Sequence, residues 1–379
     1  MGAFLGAIER AVFERASYPR SAMSDGPGTL GGRKADHLAL CAEDDVGFRE
    51  RTTLLEQVRL VHDALPDMAL GDVDTSVALF GKTLRAPLLI ASMTGGTEEA
   101  GRINRELAGI AEERGYGFGL GSQRAMLVRP AAGPSYRVRQ IAPSILVLGN
   151  VGVVQARAMT TSEVRVLCDE VGADALCVHL NPAMELVQPG GDRDFSQGLA
   201  TLARLVRDVG LPVVVKETGC GIGPSVGRRL REVGVKHVDV SGAGGTSWVG
   251  VETRRAEAAG DAGARALGEA LWDWGIPTAA SVALLATQGF DTIVATGGVG
   301  TGLDVARAIA LGATAAGIAR PVLRALTAHG RAGAVAFLDG VEAELRAAML
   351  LTGSRDVAAL RRAPRVIVGE LGGWISQLG

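Results

Sequence analysis

Thr94, Ser122, Asn150, His179 with Asn181, Lys216 with Glu217, Ser241, and the pair Gly297-Gly298 each stand where a short apolar run of the chain stops. Their hydroxyls, amides, imidazole and ammonium supply donors and acceptors for a polar ligand. Loop composition could make any one of these positions polar, but it accounts poorly for the whole set. The stretch Thr296–Leu323 is the most specific. A Gly-Gly pair exposes backbone N–H groups, small residues let the backbone approach a ligand, and Ala319-Arg320-Pro321 ends the next βα unit. This is the make-up of the phosphate site that barrels carry after strands seven and eight.

The elements that must position these residues are eight apolar runs: Pro87–Ser92, Gly117–Ser122, Ile145–Val151, Ala175–Leu180, Pro212–Thr218, His237–Gly242, Thr292–Gly297 and Thr314–Ala319. Continuous rather than alternating apolar character predicts strands buried on both faces of a parallel sheet. Eight such units favour a closed (β/α)8 TIM barrel. A doubly wound sheet is the alternative, but no GxGxxG follows the first run. Helices are expected between the runs, for example at Ser196–Val209 and Gly302–Leu311, and one or two more within Ala334–Leu351. Residues 1–32 read as an N-terminal extension, and 33–379 as the barrel with its C-terminal helices.

Composition removes several classes. Apolar residues form 47% of the 379, which excludes a disordered chain. With 39 Lys+Arg against 41 Asp+Glu and 4% aromatics, nothing points to nucleic acid or an acidic membrane as partner. Four cysteines without CxxC spacing predict neither a disulfide framework nor a zinc site, and suit a reducing cytosol. No apolar run nears the roughly 18 residues that a membrane span needs. Glu9 and Glu14 interrupt the opening segment, so it does not read as a signal peptide.

Several ordered motifs narrow the reading: RKADH (Arg33–His37), MTGGT (Met93–Thr97), GSQRAM (Gly121–Met126), HLNPAME (His179–Glu185), QPGGDRDF (Gln188–Phe195), VKETGCGI (Val215–Ile222) and DVSGAGGTSW (Asp239–Trp248). On these the chain resembles the type 2, FMN-dependent isopentenyl diphosphate isomerases, from about Arg33 to the C-terminal helices. The resemblance implies interconversion of isopentenyl and dimethylallyl diphosphate in isoprenoid biosynthesis, with reduced FMN, Mg2+, and NADPH as reductant. It also implies a cytoplasmic homo-oligomer, a tetramer or larger.

Position by position, the resemblance implies that Ser92, Met93 and Thr94 lie along the flavin ring and that Ser122 and Asn150 hydrogen-bond flavin or substrate. Lys216 would sit near the N1/O2 edge, where a cation stabilises anionic reduced flavin. Ser241 and Thr246 would serve the ribityl or phosphate end, with Gly297, Gly298, Gly300, Ala319 and Arg320 on the phosphate. Arg33, Lys34, His37, Ser122, Gln123 and Arg124 would contact the substrate diphosphate, and Glu185 would bind Mg2+. His179, Asn181 and Met184 would line the substrate pocket and, with Lys216, form the catalytic set. Plainer readings are an ion pair of Lys216 with Glu217, His37 as a helix cap, Trp272 and Trp274 as packing, His62 and His329 as surface residues, and no reactive role for Cys220.

Three departures from the family pattern stand out. Met184 occupies the place of a Gln before the metal-binding Glu, Gly190 replaces the Glu of PEGD, and Gly300 replaces the Arg of GGxR. A thioether cannot relay protons. The alternative functions are therefore related flavin chemistry on another prenyl substrate, or an impaired FMN- and diphosphate-binding homologue. A 2-hydroxy-acid oxidase is disfavoured, because Ser241–Thr246 holds neither the His nor the Arg that such an enzyme needs.

Overall fold

Each of the eight apolar runs contains a strand, and the strands close on one another. The computed structural model describes residues 30–43 and 45–379, so most of the expected N-terminal extension lies outside the described residues. In chain order the strands are β1 Val58–Leu60, β2 Val77–Leu79, β3 Lys82–Leu84, β4 Leu88–Ile90, β5 Gly117–Gly119, β6 Val147–Gly152, β7 Ala175–His179, β8 Val213–Lys216, β9 His237–Asp239, β10 Thr292–Ala295, β11 Ala315–Ile318 and β12 Arg365–Ile367. Strands β4 to β11 form a closed parallel barrel in sequence order, and β11 returns to β4 with Gly317 opposite Leu89. The barrel strands are buried almost throughout, as their unbroken apolar runs require.

Register brings the functional positions into line. Gly152 pairs with His179, His179 with Lys216, and Lys216 with Asp239, so four successive strand ends stand side by side on the C-terminal rim. At the opposite mouth the antiparallel pair β2–β3 acts as a plug. Its Leu79 and Leu84 join Leu89, Leu148, Val214 and Val294 in one interior cluster. Each such leucine contributes roughly 1.5–3 kcal/mol by burial. With that end filled, the C-terminal mouth is where a ligand can enter.

Helices follow the strands. Glu98–Arg114 is capped by the Thr97 hydroxyl, which accepts from Ala100 N, and it ends on Gly115 at φ 65°. The expected helices at 196–209 and 302–311 are found at Gly198–Asp208 and Gly302–Ala310. The helices expected within 334–351 belong to one long helix, Arg320–Leu350, which breaks at Gly330 and is followed by Val357–Arg362 and Gly369–Leu378. Two features went unread in the sequence. The helix Leu30–Glu43 spans the expected boundary at residue 33 and carries Arg33, Lys34 and His37. The ribbon β1–β12 pairs Arg59 with Val366 in antiparallel fashion.

Candidate active site

The strand ends, the Leu30–Glu43 helix and the βα loops enclose a cavity of about 610 Å³ at the C-terminal mouth. Of the residues picked from the sequence, it is lined by Arg33, Lys34, His37, Ser92, Met93, Thr94, Ser122, Arg124, Asn150, His179, Asn181, Met184, Glu185, Lys216, Ser241, Thr246, Gly297, Gly298, Ala319 and Arg320. Gln123 and Gly300 do not line it. Gln123 is 1% exposed and braces the wall from behind. Its Nε2 donates to Leu167 O at 2.9 Å and its Oε1 accepts from Asn150 N at 2.9 Å. Gly300 N instead donates to Asp304 Oδ2, at the start of the following helix.

One wall is cationic. Lys34 Nζ donates to Ser122 O at 3.0 Å and to Tyr136 Oη at 2.6 Å. Burial, then the neighbouring Arg33 and Arg124, pull its ammonium from 10.5 to about 7. Arg124 lies 3.6 Å from Asp192 Oδ2. His37 is no helix cap: it lies within its helix, 2.6 Å from the fully buried Glu252. Burial lowers its pKa, and Glu252 opposes that shift. Concentrated positive charge facing a cavity suits a polyanion, and a diphosphate fits that description.

Beside it, the Glu185 carboxylate accepts from Asn181 Nδ2 at 2.8 Å, Gln188 Nε2 at 3.2 Å and Asp192 N at 2.8 Å. A carboxylate offers about four lone-pair sites, so one remains for a cation. No group of three or more His, Cys, Asp or Glu able to hold a metal occurs among the described residues. A single carboxylate fits Mg2+, which keeps waters and takes its other ligands from substrate phosphates. Met184 Sδ lies 3.9 Å from Asn181 Nδ2. Gly190 is exposed, with φ 67° and nothing near its missing Cβ.

At the barrel axis Lys216 does not pair with the Glu217 carboxylate. Its Nζ donates to the Glu217 carbonyl oxygen at 2.8 Å. The carboxylate turns away and accepts from Thr218 N and Cys220 N, and burial lifts it to about 7. The His179 imidazole is pulled down to about 3 by burial, then by Lys216, Arg124 and Lys34, so it is neutral at pH 7. Burial also raises the pKa of the Cys220 thiol, which leaves it unreactive. Trp272 is packed at 2% exposure, whereas Trp274 is 63% exposed and packs little.

The far wall is glycine. A Cβ on Gly245 would overlap Gly298 N, and Gly297 and Gly298 adopt φ 95° and 73°. Only glycine combines those angles with that approach. Ser241 beside them is held at φ 37°, a strained conformation for a residue with a Cβ. This cradle of backbone N–H groups, an ammonium inside the cavity and the small strand-end residues fit FMN. Gln155, Asp239, Gly245, Trp248 and Thr296 also line the cavity, although sequence reasoning did not single them out as site residues. Asp239 accepts from Thr296 Oγ1 at 2.5 Å. The recurrence of polar residues at strand ends was the available signal for Asp239 and Thr296.

Residues 29–133 and 181–366 match the family model described as FMN-dependent dehydrogenase. The isopentenyl-diphosphate delta-isomerase of Methanothermobacter thermautotrophicus is 42% identical over 348 residues, 92% of this chain and 96% of the relative. That of a Synechococcus species is 45% identical over 332 residues, 87% of this chain and 94% of the relative. Among solved structures, mandelate oxidase with (S)-4-hydroxymandelic acid aligns with a TM-score of 0.60 at 19% identity. It covers 96% of this chain and 98% of its own, a likeness of fold.

Proposed function

The chain belongs to the FMN-dependent dehydrogenase family, among its isopentenyl-diphosphate delta-isomerases, and from that membership we propose how its cavity works. The protein is an isomerase that interconverts isopentenyl and dimethylallyl diphosphate, with FMN as cofactor. The observation that carries the proposal is the division of one cavity. The cationic wall lies beside β5 and the glycine cradle beside β9 and β10, across the barrel mouth.

In this reading Arg33, Lys34 and Arg124 hold the diphosphate, together with Mg2+ on Glu185. Gly245, Gly297, Gly298 and Arg320 hold the flavin phosphate, and Lys216 faces the N1/O2 edge. The isomerisation adds a proton at C4 of the substrate and removes one from C2. Reduced flavin, when bound, supplies proton-moving groups near its N5. The chain's own part is to fix the substrate and keep water out. Apolar Met93, Met184 and Trp248 shield the allylic carbons, and His179 stays neutral to accept a hydrogen bond. NADPH as reductant, a place in isoprenoid biosynthesis and assembly into a tetramer or larger rest on the resemblance. A cytoplasmic location draws support from four free thiols. Among the described residues no helix is long and apolar enough to cross a membrane.

The test is anaerobic turnover of isopentenyl diphosphate with reduced FMN and Mg2+. Dimethylallyl diphosphate should form without stoichiometric consumption of NADPH. Met184 favours a second reading, since it cannot take part in proton transfer: ligand binding without turnover, or a net redox change on another prenyl substrate. Stoichiometric NADPH loss or stabilisation without product would decide for it.

A further inference from the structure

We propose that Tyr136 is a positioning residue that holds the Lys34 ammonium in place for the diphosphate and braces it against the Gly95-Gly96 turn. The inference rests on the diphosphate reading of the cationic wall. Tyr136 does not line the cavity and is fully buried behind it. The polarity of its contacts is fixed. Its hydroxyl has one proton, donated to Ser122 O at 2.7 Å, so its lone pair accepts from Lys34 Nζ at 2.6 Å. Lys34 Nζ also donates to Ser122 O. Two of the three ammonium donors are thereby anchored, which leaves one for a ligand.

The ring is placed as firmly as the hydroxyl. A Cβ on Gly95 would overlap Tyr136 Cε1, so the ring lies directly on the turn after Met93 and Thr94. The segment ending in Tyr136 and the residue before that segment fix the turn twice more: Gly96 N donates to Ser135 Oγ at 2.7 Å, and Arg129 Nη2 donates to Gly96 O at 2.9 Å. Asn104 ties Thr94 O to Ser135 O through its Nδ2. The segment Pro130–Tyr136 thus joins the flavin-side turn to the diphosphate-side lysine.

Two charged groups oppose the charge of Lys34: Arg33 on its own helix and Arg124 on the helix after β5. His179 at the end of β7 is neutral, and burial keeps the Tyr136 hydroxyl protonated. Below about pH 7 Lys34 is charged. Above it, an anion must bring a proton with it, so affinity falls as pH rises. A hydrogen-bond acceptor favours the ammonium. Removing that acceptor lowers the pKa further and moves the fall in affinity to lower pH.

The experiment uses FMN-loaded protein with Mg2+, inorganic pyrophosphate as calorimetric probe and isopentenyl diphosphate as substrate, across pH. Tyr136→Phe should weaken pyrophosphate binding and raise KM, each roughly tenfold, the scale of one charged hydrogen bond. It should leave kcat within about twofold and move the decline in affinity to lower pH. In a Lys34→Gln background the same change should cost nothing more. Equal affinity and an unmoved pH profile in Tyr136→Phe would overturn the inference while leaving the proposed function standing, as would an equal penalty with or without Lys34. If the parent protein isomerises its substrate but Lys34→Gln binds pyrophosphate normally, the inference falls alone. If the parent neither binds pyrophosphate nor turns over, both fall.

Discussion

Asn150 Oδ1 lies 2.9 Å from His179 Nδ1, while its Nδ2 is committed to Leu120 O at 2.9 Å. The amide can therefore only accept from the ring, so Nδ1 carries the proton and Nε2 faces outward as an acceptor. Asn150→Asp places a carboxylate against that N–H. The His179 pKa should rise from about 3 by 1–3 units, since an opposite charge favours the imidazolium. NMR titration of the imidazole checks this, and a ring that stays silent above about pH 4 contradicts it.

Gly245→Ala drives a methyl group into Gly298 N, within the cradle assigned to the flavin phosphate. Flavin affinity should fall at least tenfold, roughly 1.4 kcal/mol. Flavin absorbance retained after desalting checks the outcome, with circular dichroism to confirm the fold.

Glu185→Gln keeps an acceptor for Asn181 but removes the charge proposed to hold Mg2+. Stimulation by Mg2+ should disappear and turnover should drop by roughly 10² or more. Chelation of the metal should arrest the parent enzyme and leave the residual rate of the variant unaltered.

Met184→Gln restores a hydrogen-bonding group next to Glu185. We expect kcat to rise roughly tenfold with little change in KM, because Arg33, Lys34 and Arg124 are untouched. Adding Gly190→Glu meets no steric obstacle but forces a side chain onto φ 67°, at a cost of roughly 1 kcal/mol or more. Steady-state kinetics with melting curves separates the two effects.

Glu217→Gln tests a buried acid. Its folded-state pKa is raised from 4.5 to about 7, chiefly by burial. The neutral form is the one folding favours, so its contribution is complete below the unfolded value and is lost as pH rises through about 7. A glutamine stays neutral and can still accept from Thr218 N and Cys220 N. Between about pH 5 and pH 8 the Tm of the parent should fall by several degrees relative to the variant. Scanning calorimetry across that interval is the measurement.

The barrel was legible because its strands are buried on both faces, which writes runs such as Val213–Lys216 into the sequence as unbroken apolar stretches. Strand-end residues were legible for the same reason, since polarity there interrupts a strong pattern. The plug β2–β3 and the ribbon β1–β12 were not, because their short strands are partly exposed and most mix polar with apolar residues, which leaves no unbroken apolar run to read. Tyr136 escaped notice because its partner Lys34 is 102 positions away and its segment has no motif of its own. For Lys216 and Glu217, adjacency allowed the plainer reading of an ion pair, but the Lys216 ammonium donates to the Glu217 carbonyl oxygen while the carboxylate is taken up by Thr218 N and Cys220 N.

The β1–β12 ribbon also has a kinetic consequence. It joins Val58 to Ile367, so the loop it closes contains the entire barrel. Loop-closure entropy grows with the enclosed length, and contacts this remote in sequence slow folding. Closing the ribbon costs least once the barrel has drawn its ends together, so we expect it to form late and to mark completion. A protease that cuts between β11 and β12 would release the marker first, and amide exchange along Arg59 and Val366 would report the loss before the barrel opened.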